Sequence, residues 1–373
     1  MSKKSDINIC FVSLSSISAL QEGNDGYIGG AEIQQVELAK ELNKRGYKIY
    51  FITYGKQREC IDGIKIIKAY EKDEARNLSN LRKFHLIWKK MDEVNADIYI
   101  YRAGSPAVTS LYCYLKRKIL IRLIASDANV EGSSLHKKSL PRLVLHKIKN
   151  WFDIRLPTLI ISQNSYQKHK LKDNFNRESL IIKNAFELPS INEPYKSKKD
   201  KKYCLWVGKI RSVKRPSLFL EIAKKLQNYK FIMIGGESSQ EPSLYNKIKQ
   251  KSKEIPNLDF KGYVPHSEIF DYYKNASVLV HTSKTEGFPN VFLEAWMHYT
   301  PVVSLNIDPD NIISKYNLGF HSRNMDNLLH DIKLLLNDEN KRRKMGKNCR
   351  KYVEKNHNVK VIVDKYEKII ENY

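Results

Sequence analysis

The sequence predicts an α/β protein with two doubly wound parallel-sheet domains, and three observations lead to this prediction. First, strand-like and helix-like segments alternate along the chain. Second, units of strand, loop, helix and strand begin near residues 7, 202 and 277, with a wide gap after the first. Third, 373 residues exceed one ordinary core and favour two domains. Alternation of this kind is typical of parallel sheets with right-handed crossovers.

The first unit starts with an apolar strand over residues 7–14 and passes through QEGNDGYIGGAE into a helix. Apolar residues recur every third position from Ile33 to Leu42, which indicates a helix with one buried face. Gly46 follows as a stop signal, and the strand KIYFITY comes next. This order is that of a β-α-β unit.

The second unit reads YCLWVG, KIRSVKRP, SLFLEIAKKL and KFIMIGG, with Pro216 suited to the first helical turn. The third reads SVLVHTS, NVFLEAWMHY and PVVSLNI. Residues 187–203 lack periodicity and are rich in Pro, Ser and Lys, which is typical of a linker. We therefore predict an N-terminal domain over 1–190 and a C-terminal domain over 191–356. A last helix, in 357–373, can pack on either domain and is placed here with the N-terminal one.

Composition narrows the classes of partner. The net charge of +24 favours an anionic partner, whether nucleic acid, acidic lipid or a phosphorylated small molecule. Five cysteines without a C-x-x-C pair suggest neither a disulfide framework nor a zinc site, and fit a reducing cytoplasm. The basic start outlines a secretory signal, but Asp6 and several serines interrupt it. No apolar run is long enough to span a membrane.

The stretch TEGFPNVFLEA carries two glutamates at the end of a predicted strand. Glu286 falls just past the strand, Gly287 permits a tight turn, and Pro289 starts a helix. Backbone N–H groups around Asn290 would then hold an anion, with Glu294 one turn further on. A nucleotide sugar has this layout of sugar, diphosphate and ribose. The alternative is that both glutamates only favour the helix dipole.

Basic side chains cluster in the strand-to-helix loop KIRSVKRP of the second unit, at the same carboxyl edge as the glutamate motif. They could neutralise a diphosphate leaving group, or they could simply be solvated. These residues are Lys209, Arg211, Lys214 and Arg215.

The chain resembles the retaining GT-B glycosyltransferases of family 4 over most of its length. The matching segments are GGAEIQQVELAKELNKRGYKIYFIT, VGKIRSVKRPSLFLEIAKKL, FIMIGG, GYVPHSEIFDYYKNASVLVHTS and EGFPNVFLEAWMHYTPVVSL. The resemblance implies two Rossmann-like domains facing across a cleft. It implies that the C-terminal domain binds a UDP- or GDP-sugar and that the N-terminal domain binds the acceptor. No metal or other cofactor is expected.

The resemblance also implies roles for individual residues. Glu286 would contact the donor sugar, Glu294 the ribose, and Lys209 with Lys214 the diphosphate, so Glu286, Lys209 and Lys214 are the catalytic candidates. Further donor contacts are expected from Gly29, Gly30, Arg211, Tyr263, Val264, Gly287, Phe288, Pro289 and Asn290. Lys209 stands where relatives often have arginine, and Arg211 is the candidate to replace that guanidinium.

The sequence gives fewer signals for the residues that bind the acceptor. Asp127, in RLIASDANVEG, is a candidate acceptor contact, although a loop aspartate often only caps a turn. LRKFHLIWKK and HKKSLPRLVLHKIKNWF mix basic and large apolar residues, as helices on an anionic membrane do, or as core helices with basic outer faces do. A saccharide or lipid-linked saccharide of cell-envelope polysaccharide synthesis would be the acceptor, at the inner face of the plasma membrane or in the cytoplasm.

Other classes fit less of the sequence. A sugar-nucleotide epimerase of related fold is the closest rival, and needs acid and base residues at the sugar. A nucleic-acid binder explains the charge but shows no recognisable motif. A dinucleotide oxidoreductase is disfavoured because GNDGYIGG is not G-x-G-x-x-G. The stretch MHYTPVV lacks the glycine that many relatives have near Tyr299, so the preceding helix is expected to end differently.

Overall fold

A computed structural model describes residues 4–21, 29–54, 60–71, 73–102, 106–131, 151–189 and 203–373. The chain forms two compact units, Met1–Glu187 with Val359–Tyr373, and Leu188–Asn358. The boundaries predicted from sequence, after residues 190 and 356, lie within three residues of these. Most of the predicted linker and of HKKSLPRLVLHKIKNWF lies outside the described residues.

The first unit contains an eight-stranded sheet in the order β3-β4-β2-β1-β5-β6-β7-β8. All neighbouring strands are parallel except β3 and β4, which form an antiparallel edge pair that the sequence patterns did not predict. The strands are β1 Asn8–Val12, β2 Lys48–Thr53, β3 Cys60–Ile61, β4 Ile64–Lys68, β5 Ile98–Tyr101, β6 Ile119–Leu123, β7 Leu159–Ser162 and β8 Leu180–Ile181. Because strand order reverses direction between β1 and β5, this is a doubly wound sheet.

Helices cover both faces of this sheet. In the part of the chain that the structure describes, they include α1 Ile17–Leu20, α2 Gly30–Lys44, α3 Asn80–Val94, α4 Pro106–Leu115 and α5 Ser165–Phe175. The α2 helix buries Val36, Ala39 and Leu42 against the sheet. It ends before Gly46, whose φ of +97° suits glycine.

The last helix of the chain belongs to the first unit. This helix, α13 Val359–Ile370, buries Ile362, Val363 and Tyr366 in the same apolar cluster as α2 and β1. Arg45, just after α2, donates 2.6 Å and 2.5 Å hydrogen bonds to Asp364 and Glu367. An apolar stripe and these ion pairs therefore fix α13 to the N-terminal sheet.

The second unit contains a six-stranded, all-parallel sheet in the order β11-β10-β9-β12-β13-β14. In chain order this is 3-2-1-4-5-6, the order of dinucleotide-binding Rossmann sheets. The strands are β9 Tyr203–Val207, β10 Lys230–Ile234, β11 Leu258–Gly262, β12 Val278–His281, β13 Val302–Ser304 and β14 Gly319–His321. The strands β9, β10, β12 and β13 are largely apolar runs, as is typical of parallel strands that are covered on both faces.

The helices of the second unit complete the layers. They are α6 Pro216–Lys225, α7 Pro242–Ser252, α8 His266–Asn275, α9 Asn290–Met297, α10 Ile312–Tyr316, α11 Met325–Asn337 and α12 Glu339–Asn356. Pro216 and Pro242 each occupy the first turn of their helix, where no backbone donor is needed. The α/β pattern predicted for this domain is confirmed.

The end of α9 corrects one expectation. Tyr299, just after the helix, has a φ of +60°, the left-handed conformation that normally favours glycine. The helix therefore ends in a left-handed turn although residue 299 is not a glycine. A Cβ on Gly346 of α12 would lie 2.5 Å from the Tyr299 carbonyl oxygen. The missing glycine at 299 is thus accommodated at a cost of about 1 kcal/mol, and a glycine on the facing helix makes room.

The basic, aromatic segment LRKFHLIWKK forms most of α3. Its aromatic rings pack inward, with Phe84 stacked on Trp88 at 5.9 Å and Trp88 edge-on to Tyr112 at 5.1 Å. Leu81 alone of its large apolar residues is prominent at the surface, 84% exposed. These contacts favour the core-helix interpretation of α3. No helix in the described ranges has both the length and the apolar character needed to cross a bilayer.

Candidate active site

The candidate site of the second unit lies where strand order reverses. The central strands β9 and β12 are neighbours, and the chain winds outward from them in opposite directions. Their carboxyl ends lead into residues 208–215 and 282–289, which contain the basic loop and the Glu286 turn. Ligands of open α/β sheets bind at this kind of switch point. The two motifs singled out in the sequence are therefore brought to one place.

The basic loop is held to the end of β12 by hydrogen bonds. Thr282 Oγ1 donates to the Lys214 carbonyl oxygen at 2.7 Å, and the Lys284 N–H donates to the Val213 carbonyl oxygen at 2.8 Å. Trp206 Nε1 donates in turn to Thr282 Oγ1 at 2.9 Å. These bonds fix the short 3₁₀ turn Ser212–Lys214, and so fix the backbone that carries Lys214.

Arg215 has a different role from the one considered for it. Its backbone is left-handed, with a φ of +49°, and its side chain turns toward the end of β12. Arg215 Nε donates to the Thr282 carbonyl oxygen at 2.7 Å, and Nη2 to that of Ser283 at 3.2 Å. Burial lowers the pKa of this guanidinium. Arg215 thus braces the loop, and Lys209, Arg211 and Lys214 remain as the diphosphate candidates.

Lys214 and Glu286 form an ion pair through Nζ and Oε1. The Glu286 side chain is 16% exposed, and the buried His281 places Nε2 3.6 Å from the same carboxylate oxygen. Burial alone would raise the pKa of Glu286, but the charge of Lys214 and the nearby His281 outweigh it and lower this pKa to about 2. Glu286 is therefore ionised at neutral pH and can only accept hydrogen bonds.

His281 was not predicted as a site residue. It ends β12, packs edge-on to Phe292 at 4.8 Å, and has Nδ1 3.4 Å from Ser304 Oγ on β13. Burial is the main cause that lowers the pKa of its imidazole, which therefore stays neutral at neutral pH. A polar residue at the end of the apolar run SVLVHTS was the only sequence signal for it.

Glu294 lies inside α9 and is almost fully buried. Tyr273 of α8 donates its hydroxyl to Glu294 Oε2 at 2.6 Å, and His266 Nε2 lies 3.5 Å from Oε1. Pro289 at the N-cap of α9 has no side-chain oxygen that could cap the helix. Tyr273 was not predicted, because its spacing in α8 looks like that of any buried aromatic residue.

The remaining predicted donor contacts lie around the same sheet edge. The Ser212 N–H donates to Glu241 Oε2 at 2.8 Å, and Arg211 Nε lies 3.9 Å from Oε1 of that residue. Tyr263 follows β11, is 41% exposed, and has Cδ2 3.4 Å from where a Cβ on Gly236 would stand. Val264 is half-buried beside it, and Lys209 is half-buried after β9.

A glycine is required where the loops after β9 and β10 approach each other. A Cβ on Gly235 would lie 2.3 Å from the Gly208 carbonyl oxygen. The Ile210 N–H also donates to the Gly236 carbonyl oxygen at 3.0 Å. The close approach positions the backbone on which Lys209 and Arg211 stand.

Three predicted residues belong to the first unit. Gly29 and Gly30 begin α2, and a Cβ on Gly29 would lie 2.2 Å from Oε2 of Glu32. Asp127 starts a 3₁₀ turn and accepts a 2.9 Å hydrogen bond from Gln167 Nε2. Among the described residues, no group of three or more His, Cys, Asp or Glu could hold a metal ion.

Comparison with known proteins finds glycosyltransferase relatives of the chain. Residues 189–352 match the family model described as glycosyl transferases group 1. An uncharacterised glycosyltransferase of Haemophilus influenzae is 23% identical over 84% of this chain and 89% of its own. The capsular polysaccharide biosynthesis glycosyltransferase CapH of Staphylococcus aureus is 22% identical over 77% of this chain and 81% of its own.

Solved structures show the same fold. The crystal structure of Anabaena Alr3699/HepE in complex with UDP and glucose has a TM-score of 0.75 at 15% identity, and covers 98% of this chain and 100% of its own. The predicted GT-B fold is confirmed. With the matched C-terminal domain and the glycosyltransferase relatives, the protein is a transferase enzyme of glycosyltransferase type with the GT-B fold.

Proposed function

We propose that the protein is a retaining glycosyltransferase of family 4. It moves a sugar from a UDP- or GDP-sugar to a saccharide or lipid-linked saccharide acceptor, in the synthesis of a cell-envelope polysaccharide and without a metal ion. The observation that carries the proposal is the Lys214–Glu286 ion pair at the switch point of the second sheet.

The ion pair supplies one group for the donor sugar and one for the diphosphate, the two parts of the donor that the breaking bond joins. Glu286 is ionised and accepts hydrogen bonds, so it suits the hydroxyl groups of a donor sugar. Lys214 carries three N–H donors and suits the negative charge that grows on the departing diphosphate. A bound donor would take the place of the ion pair, because its phosphates compete for Lys214 and its hydroxyls for Glu286.

The rest of the diphosphate charge is met by groups of the same edge. Lys209 and Arg211 stand on the loop after β9, and the backbone from Gly287 to Asn290 leads into the N-terminus of α9. Helix N-termini bind phosphate through backbone N–H groups and the helix dipole. As the bond between the sugar C1 and the diphosphate oxygen breaks, the acceptor oxygen forms its bond to C1 from the same face, and the acceptor proton passes to the departing diphosphate. Attack from that face retains the configuration of the sugar.

Glu294 is the proposed ribose contact. Tyr273 donates a hydrogen bond to Oε2, and His266 Nε2 lies 3.5 Å from Oε1. Each carboxylate oxygen has a further lone pair that a ribose hydroxyl can use. Tyr263 and Val264, after β11, are the proposed contacts of the base. Binding of UDP is supported by the Anabaena complex with UDP and glucose, and a cell-envelope role by the capsule relative.

The acceptor is assigned to the first unit, with Asp127 as a proposed contact. Gly29 and Gly30 remain proposed contacts of the donor. We place the enzyme in the cytoplasm, with docking on an anionic lipid surface as a further prediction. The inward packing of Phe84 and Trp88 on α3 leaves basic side chains and Leu81 as the groups of that helix that could meet lipid.

We expect UDP or GDP, but not a short single-stranded oligonucleotide, to raise the melting temperature at fixed salt. A ligand at one hundred times its Kd stabilises the folded state by about 2.7 kcal/mol. EDTA should leave the shift unchanged. In Glu294→Gln the carboxylate that receives the ribose hydroxyls loses its charge, so the affinity for the nucleotide should fall about tenfold.

The matched control is Glu254→Gln, which changes an exposed glutamate of the same unit. This control should bind the nucleotide like the wild type. The proposal fails if neither nucleotide shifts the melting temperature, or if only the oligonucleotide does. Transfer with retention is checked by the anomeric configuration of the product in NMR spectra.

A further inference from the structure

The first unit contains a cavity at the carboxyl edge of its sheet. Its empty volume is about 330 Å³, part of which is open to solvent. The cavity lies at the ends of β5, β6, β7 and β8, against side chains of α2 and α13. The polar residues that line it are Gln34, Arg102, Gln163, Lys183 and Asn184.

Arg102 is the unusual group in this cavity. It follows β5 directly and is only 6% exposed. Its Nη2 donates to Asn184 Oδ1 at 2.8 Å, but no carboxylate of the described residues pairs with it and its Nε has no hydrogen-bond partner there. Burial lowers the pKa of Arg102 to about 10, so the guanidinium still carries its charge at neutral pH.

A buried charge without a counter-charge is costly, by several kcal/mol. The surrounding groups do not supply the missing negative charge. Arg122, which donates to the Arg102 carbonyl oxygen, is itself cationic and is paired with Asp153. Tyr366 and Glu32 raise the pKa of Arg102, but burial outweighs both and the pKa falls.

A second buried donor also lacks a partner. Gln34 is 4% exposed; its Oε1 accepts a 2.6 Å hydrogen bond from the Ala185 N–H, while its Nε2 has no partner among the described residues. Gln163, also 4% exposed, donates to the Ile124 carbonyl oxygen at 2.7 Å. The buried Arg102 guanidinium and an unused amide N–H of Gln34 therefore line the same space, which is the donor set that an oxyanion needs.

The place in the fold is that of a ligand site. Strands β1 and β5 are neighbours at the point where the order of the first sheet reverses, and Arg102 follows β5. Open α/β sheets bind ligands beyond the carboxyl ends of strands at such a point. All the residues that line this cavity belong to the first unit, so the cavity is independent of the function proposed for the second unit.

We infer that this cavity binds a small oxyanion, a phosphate or carboxylate group, with Arg102 as its counter-charge and Gln34 Nε2 as a second donor. The anion is either free or carried by a saccharide, and both sources share this chemistry. Lys183 at the rim adds positive charge that attracts such a group.

The test is a calorimetric titration of the wild type and of Arg102→Met with inorganic phosphate. The ionic strength is held constant with chloride. We expect saturable binding whose Kd rises at least about tenfold in Arg102→Met, because the substitution keeps the volume and removes the charge. Lys214→Ala changes the proposed donor site of the second unit and should keep the Arg102-dependent binding of phosphate. The variant therefore distinguishes a failure of the donor-site proposal from a failure of this inference.

An affinity for phosphate that Arg102→Met leaves unchanged would overturn the inference. If that variant does not fold, wild-type crystals soaked in selenate decide the matter, and the inference is overturned when no anomalous selenium peak lies within hydrogen-bond distance of Arg102. The source of the anion is distinguished with glucuronate, glucose 1-phosphate and neutral glucose. Tighter binding of a sugar-borne anion than of phosphate identifies a saccharide ligand, and equal binding identifies a free anion.

Discussion

Lys214→Ala should lower kcat about 10²–10³-fold while leaving the affinity for UDP within a few-fold of the wild type. The reason is that negative charge on the diphosphate grows as the glycosidic bond breaks, so the lysine acts more strongly on the transition state than on the bound donor. Removal of one well-placed donor from such a site costs about 3–4 kcal/mol of transition-state stabilisation.

The structure indicates that this substitution should leave the backbone of the loop in place. The backbone of Lys214 is held by Thr282, and the neighbouring Arg215 is anchored to carbonyl oxygens after β12. Neither interaction uses the lysine side chain. We therefore expect the loop to keep its conformation in the variant, with the loss confined to the Nζ charge and to its ion pair with Glu286.

The measurement is steady-state kinetics with a UDP- or GDP-sugar, together with nucleotide-induced shifts of the melting temperature. Lys253→Ala is the matched control, since it removes an exposed lysine of the same unit. Its kcat should equal that of the wild type. Equal kcat in Lys214→Ala and Lys253→Ala would refute the proposed role of Lys214, and a loss confined to KM would show ground-state binding instead.

Much of the second unit could be predicted because its sequence signals are local. The apolar runs of β9, β10, β12 and β13 alternate with helical spacing, and Pro216 marks a helix start. Such signals need no knowledge of distant contacts. The meeting of the basic loop and Glu286 followed from one general rule, that parallel strands end at a common edge of the sheet.

Other features could not be predicted because distant residues decide them. The bracing role of Arg215 depends on a carbonyl oxygen after β12 that is 67 residues away in the sequence. Tyr299 takes a left-handed conformation because the facing helix has Gly346 at the contact. The partner of Glu294 comes from α8, whose apolar spacing gives no sign of a functional tyrosine. Burial of Arg102 likewise appears only once β5 to β8 are assembled.

The acid stability of the second unit should depend on Glu286. Its pKa is lowered from 4.5 to about 2, so the folded state gains stability from ionised Glu286 above pH 4.5 and loses it as the pH falls toward 2. A shift of this size corresponds to about 3 kcal/mol of unfolding free energy. Glu286→Gln removes that contribution, and should therefore be less stable than the wild type at pH 7.

The difference between wild type and Glu286→Gln should narrow as the pH falls below 4.5, because the wild-type carboxylate then becomes protonated. Urea unfolding followed by fluorescence is suitable, as Trp206 and Trp296 are both buried in the second unit.

Glu254→Gln, at an exposed position, should follow the wild type at every pH. If the Glu286→Gln curve runs parallel to that of the wild type from pH 7 to below 4.5, then the ion pair with Lys214 does not hold the charge of Glu286 in the folded protein. The proposed contact with the donor sugar would lose its physical basis in that case, because an uncharged carboxyl group is a weaker acceptor for sugar hydroxyls.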